Sequence, residues 1–406
     1  MTARFCLAAL AALAPVAHAW MPSGKIRGVN LGNLFVYEPW LDSATWTAMG
    51  CTDSGYNSEF DCMSLLGQSA GDTTFHRHWT TWVTESDFAD MISYGLNAVR
   101  IPLGYWMNET LVYTDSEHFP RGGFDVLKTV CGWAGDMGMY IILDLHGAPG
   151  AQVPQNSNTG QFASTPGFYQ SDQFDRATEF VSWLRQMIYE NEEMRHVGMI
   201  EIVNEPLQLQ GSETLALRQT YYPAAYNKQQ RQAIRNVESS LGITGDEVVH
   251  VEFMNSQWGS GDPTEYLPAN ASDLAFDDHR YLKYSLDASS NVSHDSYLNI
   301  SCNDDRAGPG YETAAATVVG EFSLSVPDIV QDTADWDPST DANKEFYKLW
   351  FAAQVMAYER SAAGWFFWTW KAYLNDYRWS YRDAVAAGVI PEDLDSIANM
   401  GACDRF

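Results

Sequence analysis

Gly198-Met199-Ile200-Glu201-Ile202-Val203-Asn204-Glu205-Pro206 is an apolar, β-branched run that ends in a carboxylate. Ala315-Ala316-Thr317-Val318-Val319-Gly320-Glu321-Phe322-Ser323 repeats that shape further along. Apolar character that is nearly continuous, not alternating, marks a strand covered on both faces, as in a parallel sheet. A carboxylate at the tip of such a strand is costly to bury unless partners or a task hold it there. Two similar tips suggest two carboxylates that meet in one cleft.

Outward from these strings, strand-like and helix-like segments alternate along most of the chain, the mark of a parallel α/β fold. Strands are expected at 26–31, 98–101, 139–144, 199–203, 248–253, 274–277, 316–319 and 364–368. Helices are expected at 85–94, 124–137, 172–189, 219–241 and 343–360. Eight strands with helices between most of them count out a closed (β/α)8 TIM barrel. A doubly wound sheet would announce a Gly-rich phosphate turn after its first strand, and Gly28-Val-Asn-Leu-Gly32 is not one. With no Pro/Ser/Gly-rich linker and no repeat, residues 20–406 read as a single domain. Two long insertions, 38–81 after the first strand and 279–310 after the sixth, are candidate cleft walls.

Residues 1–19 read as a secretory signal peptide. Arg4 precedes an apolar stretch from Phe5 to Val16, and Ala17-His18-Ala19 has the A-x-A cleavage form. No stretch is long enough to span a bilayer. The net charge of −28 excludes nucleic acid and anionic membrane as natural partners, since both reward Lys and Arg. Aromatics make up 14% of the chain, with 15 Trp. Much of that fills a core, but the usage also suits a cleft that packs sugar faces. Sequons at Asn108, Asn270, Asn291 and Asn299 suit an extracellular, glycosylated protein. Loss of the signal removes Cys6 and leaves five cysteines. Loop context predicts bridges Cys51–Cys62 and Cys302–Cys403. Cys131 lies in an apolar-periodic helix and is expected as a buried free thiol. No CxxC or paired Cys/His spacing calls for a metal, and no cofactor is expected.

Polar residues at the C-terminal ends of barrel strands are read as catalytic. Arg100 ends the second strand, His146 the third, Asn204-Glu205 the fourth and Asp277-Asp278-His279-Arg280-Tyr281 the sixth. Glu321 ends the seventh strand and Trp368 the eighth. Any one alone is more often a satisfied structural group; six ends in agreement point to a site. A pair of carboxyls is the equipment for cutting a glycosidic bond, one as proton donor and one as ionised nucleophile. Asn204 offers a donor to a sugar 2-hydroxyl, Arg100 and Tyr281 keep Glu321 ionised, His146 and His279 border the bond, and Trp368 lies beneath the sugar.

Asn204-Glu205-Pro206 with Gly320-Glu321 resembles glycoside hydrolase family 5. Arg27-Gly-Val-Asn-Leu-Gly32, Glu38-Pro-Trp40, Val99-Arg-Ile-Pro-Leu-Gly-Tyr-Trp106 and Asp144-Leu-His-Gly-Ala-Pro-Gly150 resemble its fungal β-glucanases. Trp258-Gly-Ser-Gly-Asp-Pro263, Asp277-Asp-His-Arg-Tyr281 and Phe366-Phe-Trp-Thr-Trp-Lys371 extend the likeness, over Lys25 to Cys403, to the secreted endo-1,6-β-glucanases. The resemblance implies a retaining hydrolase acting on β-1,6-glucan, with Glu205 as acid/base and Glu321 as nucleophile. It also implies Arg100, His146, Asn204, His279, Tyr281 and Trp368 around the substrate. A monomer in the extracellular space or cell wall is expected, with β-glucan as partner. The alternatives are an exo-acting 1,3-β-glucosidase and an inactive wall-glucan-binding protein. Ala151-Gln-Val-Pro-Gln-Asn-Ser-Asn-Thr-Gly160 departs from the exo enzymes, which carry Gly-Phe-Asp-Asn-Ser-Gly there. The segment between the signal and Lys25 is also shorter than such enzymes usually carry.

Overall fold

The computed structural model describes residues 22, 24–52, 57–208, 211–230, 232–241, 248–284, 292–304 and 315–406. Its eight strands are β1 (Ile26–Asn30), β2 (Ala98–Gly104), β3 (Tyr140–Gly147), β4 (Val197–Glu201), β5 (His250–Met254), β6 (Leu274–His279), β7 (Ala316–Phe322) and β8 (Gly364–Phe367). They close a barrel in sequence order, every pair parallel, with β8 beside β1. The expected (β/α)8 architecture is the one observed.

Strand alternation sorts the residues into two cores. One face of each strand points into the barrel, where Ile26, Ala98, Tyr140, Ile142, Met199 and Phe366 form an apolar floor. The opposite faces, Val99, Ile101, Ile141 and Leu143 among them, join a larger core with Leu127, Leu184 and Phe351 from the surrounding helices. Two residues further along the inward face the character changes to charge: Arg100 on β2, Asp144 on β3, Glu201 on β4, Glu252 on β5 and Asp277 on β6 are all buried. The period of two therefore stacks a polar layer on an apolar one, and the site sits on the polar layer.

One helix differs from expectation. Instead of a single element over 219–241, the chain forms Ser212–Ala216, a π turn over Leu217–Tyr221, then Tyr222–Gln229 and Gln232–Leu241. Pro223 has no N–H to donate to the preceding turn, so the ladder cannot run through it unbroken.

The insertion after β1 is itself helical, with Ser43–Ala48, Glu59–Leu66 and Gln68–Trp82. Cys51 and Cys62 are bonded across it, Cα atoms 5.0 Å apart. Buried Glu59 ties it to the barrel, accepting from Tyr37 N at 3.0 Å and Trp106 Nε1 at 3.1 Å. The insertion after β6 carries the helix His294–Cys302, which the Cys302–Cys403 bond fastens to the C-terminal end, Cα atoms 5.6 Å apart. Cys131 is a buried free thiol in the helix Gly123–Asp136. Residues 1–19 and Asn291 lie outside the described residues. Among those described, no helix is long and apolar enough to cross a membrane.

Candidate active site

Arg100 is the hub. Its fully buried guanidinium donates to Glu201 Oε2 at 2.6 Å, Asn204 Oδ1 at 2.8 Å, Asn30 Oδ1 at 2.9 Å and Glu321 Oε1 at 3.0 Å. Asp144 lies 3.0 Å from it and Asp277 3.5 Å. Burial alone would push Arg100 down, but these carboxylates hold it well above its ordinary range. A permanent cation is thus fixed beneath the site.

Glu321, on β7, is held at both oxygens. Arg100 reaches Oε1, and the Tyr281 hydroxyl donates to Oε2 at 2.7 Å. Gly320 just before it leaves no room for a side chain, because a Cβ there would collide with the Asp277 carboxylate. The Gly320 N–H instead donates to Asp277 Oδ1 at 2.7 Å. Burial pushes the Glu321 carboxyl above its ordinary value, while His279 and Arg100 pull it back.

Glu205 follows β4 in the left-handed region, at φ 39°. A non-glycine there costs on the order of 1–3 kcal/mol and is kept where the surroundings over-determine it. Here Pro206 disfavours the right-handed helical region for the residue before it. His279 Nδ1 lies 2.7 Å from Oε1, and Asn158 Nδ2 donates to Oε2 at 3.4 Å. The other His279 nitrogen lies 3.3 Å from Asp277 Oδ2. Burial would push the His279 imidazolium down, but Glu321 and Asp277 hold it well above the ordinary range. His279 thus stands between carboxylates, with one ring nitrogen facing Glu205 and the other Asp277. One oxygen of Glu205, one of Glu321 and one His279 ring nitrogen all lie within 4.8 Å of one another.

The floor is built from Trp368 and His146, whose rings stack at 5.5 Å and 8°. Asp144 Oδ2 fixes His146 through Nδ1 at 2.6 Å. Asn204 spends its Oδ1 on Arg100, which points its amide nitrogen elsewhere, and Nδ2 has no partner among the described residues. The eight residues expected to act on the substrate, Glu205, Glu321, Arg100, His146, Asn204, His279, Tyr281 and Trp368, are thus brought together.

Sequence reading gave no role at the site to Glu38, Asn158, Trp258 or Trp379, which line the same cleft. Burial pushes Glu38 up to about 7. Trp258 meets His279 edge-on at 5.7 Å, and Trp379 lies between Tyr281 and the half-exposed Trp40. Glu38 stands in a loop and the other three in short 3₁₀ turns, with no periodic pattern to mark them. The Glu38-Pro-Trp40 string was the available signal for the first. The cleft holds about 1440 Å³, beyond the ~300–1,000 Å³ that accommodates one drug-sized ligand.

This is the layout of a carbohydrate-cleaving barrel, with carboxyl groups close enough to act on one bond. The family described as Cellulase (glycosyl hydrolase family 5) matches residues 60–374, and the chain belongs to glycosyl hydrolase family 5. It is 55% identical over 385 residues to the glucan endo-1,6-beta-glucosidase B of Emericella nidulans, covering 95% of this chain and 90% of that one. It is 52% identical over 415 residues to the probable glucan endo-1,6-beta-glucosidase B of Neosartorya fischeri, covering 98% and 99%. Among solved structures, the rutinosidase from Aspergillus niger superposes with a TM-score of 0.67 at 19% identity, covering 92% of this chain and 99% of that one. That likeness is one of fold.

Proposed function

We propose that the protein hydrolyses internal β-1,6 linkages of β-glucan by a retaining double displacement. The observation that carries the mechanism is the approach of Glu205 and Glu321 to within 4.8 Å, oxygen to oxygen. Retaining glycosidases keep their carboxyl groups about 5–5.5 Å apart, whereas inversion leaves about 6.5–9.5 Å for an intervening water. The roughly 50% identity to endo-1,6-glucosidases supports the linkage. A cleft larger than one sugar requires supports internal cleavage.

Glu321, ionised and aimed by Arg100 and Tyr281, attacks the anomeric carbon and forms a glycosyl-enzyme. Glu205 gives its proton to the departing glycosidic oxygen, then takes one from the water that releases the sugar. The free amide nitrogen of Asn204 donates to the 2-hydroxyl, a contact that strengthens in the transition state. His279 orients Glu205, His146 borders the bond, and Trp368 carries the face of the reacting sugar. Residues 1–19 direct the chain out of the cell, where the monomer acts on wall glucan. Asn108, Asn270, Asn291 and Asn299 accept glycans.

Incubation with pustulan and, separately, laminarin, followed by resolution of the products, tests the reading. Gentio-oligosaccharides from pustulan are expected. Glucose alone from laminarin would replace it with exo-1,3 action, and no product from either would leave a binding protein.

A further inference from the structure

Beneath Arg100 lies more negative charge than the site uses. Strand register puts Asp144 beside Glu201 and Glu201 beside Glu252, across β3, β4 and β5. Like charges directly opposite one another destabilise a sheet. All three are buried with no exposed surface, and so is Asp277 on β6. Carboxylate oxygens of Glu201, Glu252 and Asp277 lie within 4.8 Å of one another.

The donors are unevenly shared. Glu201 Oε2 receives two N–H groups of Arg100, at 2.6 and 3.2 Å. Asp144 Oδ2 has Arg100 at 3.0 Å and His146 at 2.6 Å. Asp277 has the Gly320 N–H, His279 and Arg100. Both oxygens of Glu252 lack a hydrogen-bond partner among the described residues. Around Glu252 stand Tyr140 and Asp144 on β3, Glu201 on β4, Asp277 and His279 on β6, and Arg100 on β2. An ionised carboxylate without donors in such a place is the least tolerable form of the group.

We propose that Glu252 is a positioning residue that stands under Arg100 as an uncharged carboxylic acid, leaving the guanidinium's charge to Asp144, Glu201, Asp277 and the Glu321 carboxylate. Burial, then the neighbouring Asp277 charge, pushes it well above its ordinary value of 4.5. Were it ionised, a further negative charge below the hub would draw on Arg100 and make Glu321 harder to ionise. The role toward Glu321 rests on that residue being the nucleophile; the uncharged state of Glu252 does not.

The test compares wild type with Glu252→Gln, which keeps the shape and removes the proton site. A protonated acid in the folded state and an ionised one in the unfolded state make stability fall as pH rises above 4.5. The wild-type folding equilibrium should drop by up to about tenfold per pH unit relative to Glu252→Gln between pH 5 and 7. The infrared carbonyl band of protonated carboxyl groups at pH 7 should weaken in the variant. The acid limb of kcat/KM should stay in place. Parallel stability curves, an unchanged carbonyl band or an acid limb moved to lower pH would each overturn the proposal. A stability loss on dialysis against EDTA would also overturn it, with a cation in place of the proton. Should Glu252→Gln not fold, Glu252→Met offers an uncharged chain of similar length, with the same expected outcomes. Failure of both to fold would mean that the charged form is required. Activity on pustulan bears on the proposed function alone, so the two can fail separately.

Discussion

Tyr281→Phe removes one hydroxyl, and its consequence can be worked out from the distances. The phenol donates to Glu321 Oε2 at 2.7 Å, and burial beside Glu321 keeps it protonated by pushing it well above its ordinary range. A hydrogen bond to a charged group contributes about 1.5–3 kcal/mol net. Here it favours only the ionised form of Glu321, because the protonated acid needs it far less. At 1.36 kcal/mol per unit, its loss should raise the Glu321 carboxyl by about one to two pH units. Burial already holds that carboxyl above 4.5, so the wild-type acid limb of kcat/KM begins above 4.5 and the variant's lies higher still. Activity is lost as pH falls through the limb, since a protonated carboxyl is no nucleophile. The ring keeps its contacts with Trp379 and Tyr284, at 5.9 and 6.1 Å, so the fold should persist, with a stability loss at pH values above the limb of about the same 1.5–3 kcal/mol. The assay is kcat/KM on an aryl β-gentiobioside across the acid range, which reports the free enzyme's carboxyl pair. An acid limb that stays in place, with the variant folded, would refute the reasoning.

Other perturbations separate the remaining roles. Glu205→Gln should keep a burst with an aryl substrate of low leaving-group pKa, then a slow phase accelerated by azide, while Glu321→Gln should show neither; the reverse pattern would exchange the two assignments. Arg100→Met strands several buried carboxylates and should cost about 3–5 kcal/mol in urea unfolding near neutral pH, and a loss under 1 kcal/mol would show that the network does not depend on it. Replacing Cys302 and Cys403 by Ala opens a loop with a sequence separation of 101, with an expected loss of about 2–5 kcal/mol by calorimetry; an unchanged Tm would contradict it.

The barrel was legible because both faces of each strand are buried, which makes the strands near-continuous apolar runs with charged tips. Glu205 and Glu321 stood out for the same reason, as carboxylates where the runs end. The helix expected over 219–241 failed because an apolar period does not register a missing N–H at Pro223 or the π turn before it. Asn158 and Trp379 reach the cleft from short 3₁₀ turns, Ser157–Thr159 and Tyr377–Trp379, which carry no period. Glu201 and Glu252 were present in strand strings, but their meeting under Arg100 is a property of register between strands, which a single sequence does not display.

The central claim is double displacement at Glu321 assisted by Glu205. It is tested most directly by following hydrolysis of a gentio-oligosaccharide by proton NMR in the first minutes, before mutarotation mixes the products. Two inversions at one carbon return the original configuration, so the β-anomer of the newly released reducing end should appear first and the α-anomer should grow in later. Appearance of the α-anomer first would mean a single displacement by water and would contradict the account.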